Sequence, residues 1–411
     1  MTYLRGIRAL PLLVVLTAPL AAQSIIVGTQ HATANFGPFV NPPTTVIDLT
    51  HPATKSGTVT RASVTWMTTS AGTACTNAFK VKFFRPAPPV SSPASNALTT
   101  FTLIAERGPF TSQNGSGIVP LSPGVTLQPG DFIGVTSLVA SQTCGTIGLS
   151  KRDGGAVMAF QSDLGNGSYN GTYTRDVVLL ARATDGNEVL EGVIPGAGSL
   201  QGGFGASFRT SVQLTPGPRQ NFASGKLVFR RAGTEPSPND PAATYSINDG
   251  SVVSWNDIVQ TMGTSGLGSI DVISTSGAPP IVTARVYNDA GAAGTSGFTE
   301  DFFTRDEALD TSDVVTFMTP ADLSNFRVNI GVRTFSEPVK VFVEYGTRGT
   351  AELNFPANYF QQYALATFTS IAPQPNERMR FTIFEGNDVV IYASITDNRT
   401  NDSAAKFLRR E

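Results

Sequence analysis

The segment Val282-Thr-Ala-Arg-Val-Tyr-Asn-Asp289 is echoed at Ile391-Tyr-Ala-Ser-Ile-Thr-Asp-Asn398, and four further pairs of segments recur in the same order at nearly the same spacing. Ser207-Phe-Arg-Thr-Ser-Val-Gln-Leu214 matches Asn325-Phe-Arg-Val-Asn-Ile-Gly-Val332, with Arg209 and Arg327 in register. Lys226-Leu-Val-Phe229 matches Lys340-Val-Phe-Val343, and Ser251 to Met262 matches Tyr359 to Phe368. Ser269-Ile-Asp-Val-Ile273 matches Arg380-Phe-Thr-Ile-Phe384. Ordered correspondences at one period mark an internal duplication, and each copy must then be a compact unit of about 100 residues.

The matched segments alternate apolar and polar residues at the strand period. Each copy is expected to be an Ig-like β-sandwich of six or seven strands, with one short helix crossing its end. In the first copy Ser254 and Asp257 have the spacing of a helix cap ahead of Ile258, Val259 and Met262. The copies are placed at 186–300 and 313–408. Between them Thr299 to Asp310 is acidic; Thr304 and Glu307 could form a capping box, although a solvated linker is the simpler reading.

Residues 23–185 show short alternating runs separated by turn residues such as Asn114-Gly115, Pro123-Gly124 and Pro129-Gly130. Seven or eight strands in that span point to a jelly-roll-like β-sandwich. Phe79-Lys-Val-Lys-Phe83 is read with its lysines toward solvent, and Trp66, alternating with Val64, as core. The whole chain is therefore expected to be all-β. Its 40 Gly, 27 Pro and 15% charged residues suit many turns and few long helices.

Residues 1–22 read as a signal peptide. Arg5 and Arg8 precede the apolar run Ala9 to Leu20, and Ala21-Ala22 supplies the small residues of a cleavage site. A secreted, extracellular or cell-surface location follows as an expectation, with no membrane attachment once the leader is cleaved. In that oxidising setting Cys75 and Cys144 are expected to form a disulfide. A formal charge of −2, with no run of Lys and Arg longer than two residues, gives no footprint for nucleic acid.

The order of the duplicated pieces resembles a family of uncharacterised tandem β-sandwich repeat modules of exported bacterial proteins. The resemblance covers residues of about 190–408 and is carried by Phe208-Arg-Thr210, Phe326-Arg327 and Tyr392 to Asp402. Arg285-Val-Tyr-Asn288 departs from it where the second copy has Ser394-Ile-Thr-Asp397. The resemblance implies an extracellular, non-enzymatic module and assigns no catalytic residue or ligand.

Two loops are candidate sites. Asn166, Tyr169, Asn170 and Tyr173 lie among glycines in a stretch suited either to glycan recognition or to covering a sheet edge. Asp397, Asn398, Asn401 and Asp402 offer oxygen ligands for calcium, the one cofactor considered. The turn glycine and closing glutamate of an EF-hand are missing, which favours an Asx-rich turn satisfying its own backbone. Arg209 and Arg327 are expected to lie over their sheets, paired with a carboxylate of the same module. His31 and His51 are the two histidines, and neither has a nucleophile motif nearby. The composite expectation is a non-catalytic surface or matrix protein acting in adhesion or assembly, including self-association into filaments. Its partners would be extracellular proteins, glycans or further copies of itself. A carbohydrate-binding protein using the N-terminal sandwich is the alternative, and a polysaccharide hydrolase with paired carboxylates the third reading.

Overall fold

The computed structural model describes residues 25–29, 42–67, 74–86, 99–112, 115–139, 144–169, 171–186, 188–217, 222–277 and 279–410. Residues 1–22, expected from the sequence to be a leader, lie outside the described residues, as do His31 and Asn170. The architecture is all-β, built from antiparallel sheets packed as sandwiches. Among the described residues no helix is long and apolar enough to cross a membrane.

The strands are numbered along the chain. The first sheet orders β1 (Ile26–Gly28), β12 (Ala181–Thr184), β3 (Gly57–Met67) and β6 (Gly115–Leu127), and β8 (Thr146–Ile147) also pairs with β3. The second orders β10 (Gly167–Tyr169), β5 (Thr99–Phe110), β4 (Phe79–Pro86), β7 (Phe132–Ser137), β2 (Thr44–Asp48), β9 (Leu149–Phe160) and β11 (Thr172–Leu179). These strands outnumber the seven or eight expected, because several are too short for their periodicity to be read.

The two sheets enclose a core that includes Val59, Val64, Trp66, Phe79, Val81, Phe83, Ile133 and Val135. Trp66 is buried as expected; its ring stacks on Phe79 with centroids 5.4 Å apart, and its Nε1 donates to Cys144 O (2.6 Å). Cys75 and Cys144 form the expected disulfide, which closes a separation of 69 residues. The lysines of β4 depart from the expectation. Lys82 is buried, donating to Leu164 O (2.6 Å) and pairing with Glu106 and Asp163, while Lys80 bridges the same two carboxylates. The cause is a second apolar cluster on the far face of the seven-stranded sheet, where Ile47, Phe84, Phe101, Met158, Phe160 and Leu164 are buried. Strict alternation on β4 ends at Phe83-Phe84, and the sheet is covered on both faces there.

The remainder contains two sets of eight strands. The first set is β13 (Val189–Gln201), β14 (Ser207–Pro216), β15 (Phe222–Arg231), β16 (Ala242–Asn248), β17 (Val253–Trp255), β18 (Gly266–Gly277), β19 (Pro280–Asp289) and β20 (Thr295–Glu300). The second is β21 (Val314–Met318), β22 (Phe326–Thr334), β23 (Val339–Tyr345), β24 (Gly349–Phe355), β25 (Phe360–Ala364), β26 (Arg378–Glu385), β27 (Val389–Asp397) and β28 (Ser403–Phe407). The first set pairs as β16-β15-β18-β13 and β17-β14-β19-β20, and the second as β24-β23-β26-β21 and β25-β22-β27-β28. Counted within each set, both halves run fourth-third-sixth-first and fifth-second-seventh-eighth. They differ at the first strand: β13 is long, breaks register at Leu190/Gly192 and Ile194/Ala197, and turns to pair with β14 as well as β18. Pro195 lies at the second break, where a missing N–H interrupts a ladder.

The helix of the first repeat, α1 (Ile258–Thr261), is capped by Asp257, whose side chain accepts from Gln260 N; Ser254 instead lies on β17. The second repeat has a 3-10 turn, Leu365–Thr367, in the same place. Between the repeats Arg305–Glu307 forms one 3-10 turn with the Thr304/Glu307 capping box complete, so that stretch is ordered and not simply solvated.

Replacing Cys75 and Cys144 with serine should lower the unfolding free energy by about 4 kcal/mol, the cost expected when a loop of this length loses its crosslink. Urea titration under oxidising conditions checks it, and an unchanged midpoint would contradict the role given to the bond.

Candidate functional site

The Asx-rich loop after β27 uses its polar atoms locally. Asp397 Oδ1 accepts from the backbone N–H groups of Thr400 (2.8 Å) and Arg399 (2.7 Å), and these bonds hold its carboxyl below the ordinary range. Asn398 Oδ1 and Asn401 Oδ1 both accept from the Arg327 guanidinium, at 3.1 and 2.8 Å. A fixed cation thus already contacts two of the side-chain oxygens considered for calcium. The Asp402 N–H donates to Thr400 Oγ1 (3.2 Å). Among the described residues no group of three or more His, Cys, Asp or Glu gathers as a metal site.

Arg327 also reaches the first repeat. Its guanidinium lies 4.9 Å from the centroid of Phe204, in the β13–β14 turn, and Asn401 Nδ2 donates to Phe204 O (3.0 Å). Phe204 has φ 57, an uncommon conformation for a bulky residue, held between two glycines. Arg209 in the first repeat is satisfied within its own module by Asp257 (2.9 Å) and Asp289 (3.4 Å). The duplicated arginines therefore have different partners. Arg209 has the carboxylates expected, whereas Arg327 has amides and an aromatic ring from the neighbouring repeat.

In the N-terminal sandwich, Asn166 Oδ1 accepts from Leu103 N (2.8 Å), and Tyr173 is half-buried against the far-face cluster. A Cβ on Gly171 would come within 2.5 Å of Met158 and 2.7 Å of Phe160, so this loop presses its backbone onto the cluster. Tyr169 belongs to β10, which pairs with β5. His51 Nδ1 lies 3.2 Å from Asp48 Oδ2, and Thr29 Oγ1 donates to the same carboxylate oxygen (2.8 Å). Thr29 Oγ1 also lies 3.2 Å from His51 Nδ1, so the three side chains form one hydrogen-bonded cluster.

Buried ion pairs also lie at the joints between modules. Arg182 on β12 forms a forked pair with Glu191 on β13; one of its bonds measures 2.8 Å, and both residues are buried. Burial opposes charge on Arg182, but Glu191 outweighs it and raises the guanidinium pKa. Between the repeats, Arg333 on β22 reaches Asp271 on β18, whose other oxygen pairs with Arg230 (2.6 Å); Arg230 in turn holds Asp240. Burial pushes the Asp271 carboxyl up, yet Arg333 and Arg230 prevail and hold it below the ordinary range. Val193, Phe303, Ala308, Phe335 and Val390 form an apolar cluster at this joint. Phe303 also bridges to Val193, its N–H and carbonyl both bonded to β13.

One acid at the joint has no cationic partner among the described residues. Glu300, at the end of β20, is 2% exposed; its Oε1 accepts from Gly196 N (2.7 Å), while its Oε2 has no hydrogen-bond partner there. Burial pushes this carboxyl well above the ordinary range, the Gly196 N–H opposes that, and Asp301 adds to it. Tyr392 is also fully buried; burial, then the Glu300 charge, raises its phenol, which donates to Gln362 Oε1 (2.8 Å).

The alternation pattern could not reveal these joints, but two departures from it were visible. Asp271 interrupts an apolar run, and Val389-Val-Ile-Tyr-Ala393 is apolar without alternation. The latter strand is buried on both faces: Val389, Ile391 and Ala393 in its own core, Val390 against the first repeat.

Comparison of the chain with protein-family models, curated proteins and solved structures finds no match.

An acid whose folded-state pKa lies above its unfolded value favours the fold most below the unfolded value, and that contribution is lost as pH rises through the folded pKa. Stability should therefore fall from the ordinary glutamate range upward, and Glu300→Gln should flatten that part of the profile. Urea midpoints at stepped pH test this; parallel profiles for the two proteins would refute the assignment to Glu300.

Proposed function

We propose that this is a non-catalytic structural protein of an extracellular surface or matrix, acting in adhesion or assembly. The observation that carries the reading is where the buried charge lies. Arg182–Glu191 and Arg333–Asp271 each join residues of neighbouring sandwiches, and such pairs resist displacement of one module against the next. Fixed relations among modules suit a protein that transmits force or presents surfaces at set spacing. The Cys75–Cys144 disulfide favours an oxidising compartment, and the leader-like residues 1–22 favour export to one. The resemblance of residues 190–408 to modules of exported bacterial proteins points the same way.

Fractionating the source cells, and comparing attachment with and without the coding sequence, tests this reading. The protein should be recovered oxidised in the external or surface fraction, and cells lacking it should attach several-fold less. Retention inside the cell, or loss of a polysaccharide-degrading activity with attachment unchanged, would defeat the proposal.

A further inference from the structure

The joint between the repeats buries one sheet face from each. On the first repeat, Val193, Asp271 and Val228 lie opposite one another across β13, β18 and β15, and they are 0, 3 and 5% exposed. Two residues along β18, Ile273 is also buried. The second repeat meets this side with Arg333 and Val390, which are cross-strand partners on β22 and β27.

Each of these faces has a counterpart that the joint leaves open. In the second repeat, the row matching Val193–Asp271–Val228 is Val314–Thr382–Phe342, and the position of Ile273 holds Phe384. Here Val314, Thr382 and Phe342 are half-buried, and Phe384 is 50% exposed with Phe342 packed on it at 4.8 Å. In the first repeat, the pair matching Arg333–Val390 is Thr215–Ile281, with Ile281 48% exposed. Phe384 and Ile281 are among the few large apolar side chains exposed in the described chain. Ile281 occupies the position of Val390, which the internal joint buries, and Phe384 that of Ile273, which is buried on the same side of β18 as Asp271.

The charges vary together. Asp271 and Arg333 meet in the internal joint, while the matching positions on the open faces carry Thr382 and Thr215. Had only one charge been replaced, closing the open faces together would bury a lone ion, at a heavy cost. Both are neutral, so the faces remain compatible.

We propose that the Phe342/Phe384 face of one copy docks on the Thr215/Ile281 face of a second copy, repeating between chains the packing that joins the repeats within one. The two faces differ, so the contact is heterologous and extends to rings or filaments without closing at a dimer. The proposal rests on the assembly reading above and supplies its partner and surface.

Sedimentation velocity and electron microscopy of the oxidised full-length chain test it. The wild type should form concentration-dependent species larger than dimers. Phe384→Asp and Ile281→Asp, both at exposed positions, should each be monomeric with unchanged melting. An equimolar mixture of the two should stop at a heterodimer, since it contains one intact face of each kind. Large assemblies that survive either substitution would overturn this contact while leaving an assembly role standing. A wild type that is monomeric at every concentration would overturn the contact, and the attachment assay would then judge the adhesive role separately.

Discussion

Two buried arginine–carboxylate pairs set the relations among the modules, Arg182 with Glu191 and Arg333 with Asp271. Desolvating both ions consumes much of their attraction, so such pairs add little net stability over a well-packed apolar contact. What they impose is intolerance of misplacement, because a shift that separates the partners leaves an uncompensated buried charge. Strands β13 and β18 carry both carboxylates and are neighbours, with Asp271 opposite Val193. One edge of the first repeat therefore receives the N-terminal sandwich and the second repeat together.

That edge explains the differences between the repeats. Strand β13 is buried along nearly its whole length and turns to join both sheets of its repeat, whereas β21 is short and pairs with β26 alone. The outward side of β27 packs on the first repeat, and its sequence has lost the alternation that β19, exposed on that side, retains. Duplicated sequence thus gave one strand order twice, while position along the chain decided which faces could remain polar.

Much of this was legible in the sequence. The five matched pairs of segments fall on corresponding elements, the cysteines pair and Trp66 is core, although the stretch more simply read as a solvated linker instead forms the Thr304/Glu307 box. Alternation reports whether a strand has one wet face, so it misplaced Lys82, whose outer face is covered by a segment about 80 residues away in sequence. It was equally silent on the joints, because a buried arginine and a solvated one look alike until the partner's position is known. The Asx loop shows the same limit: its composition favoured a turn bonded to its own backbone over a calcium site, but could not tell that Arg327, distant in sequence, contacts two of its oxygens.

The central claim is that the Asp271–Arg333 contact ties the two repeats into one cooperative unit. Hydrogen exchange on the intact chain carrying Arg333→Met tests it most directly. If the claim holds, amides of β18 and β27 lose protection together, although neither strand is mutated. Faster exchange confined to β22 and its immediate neighbours, with β18 unchanged, would contradict it.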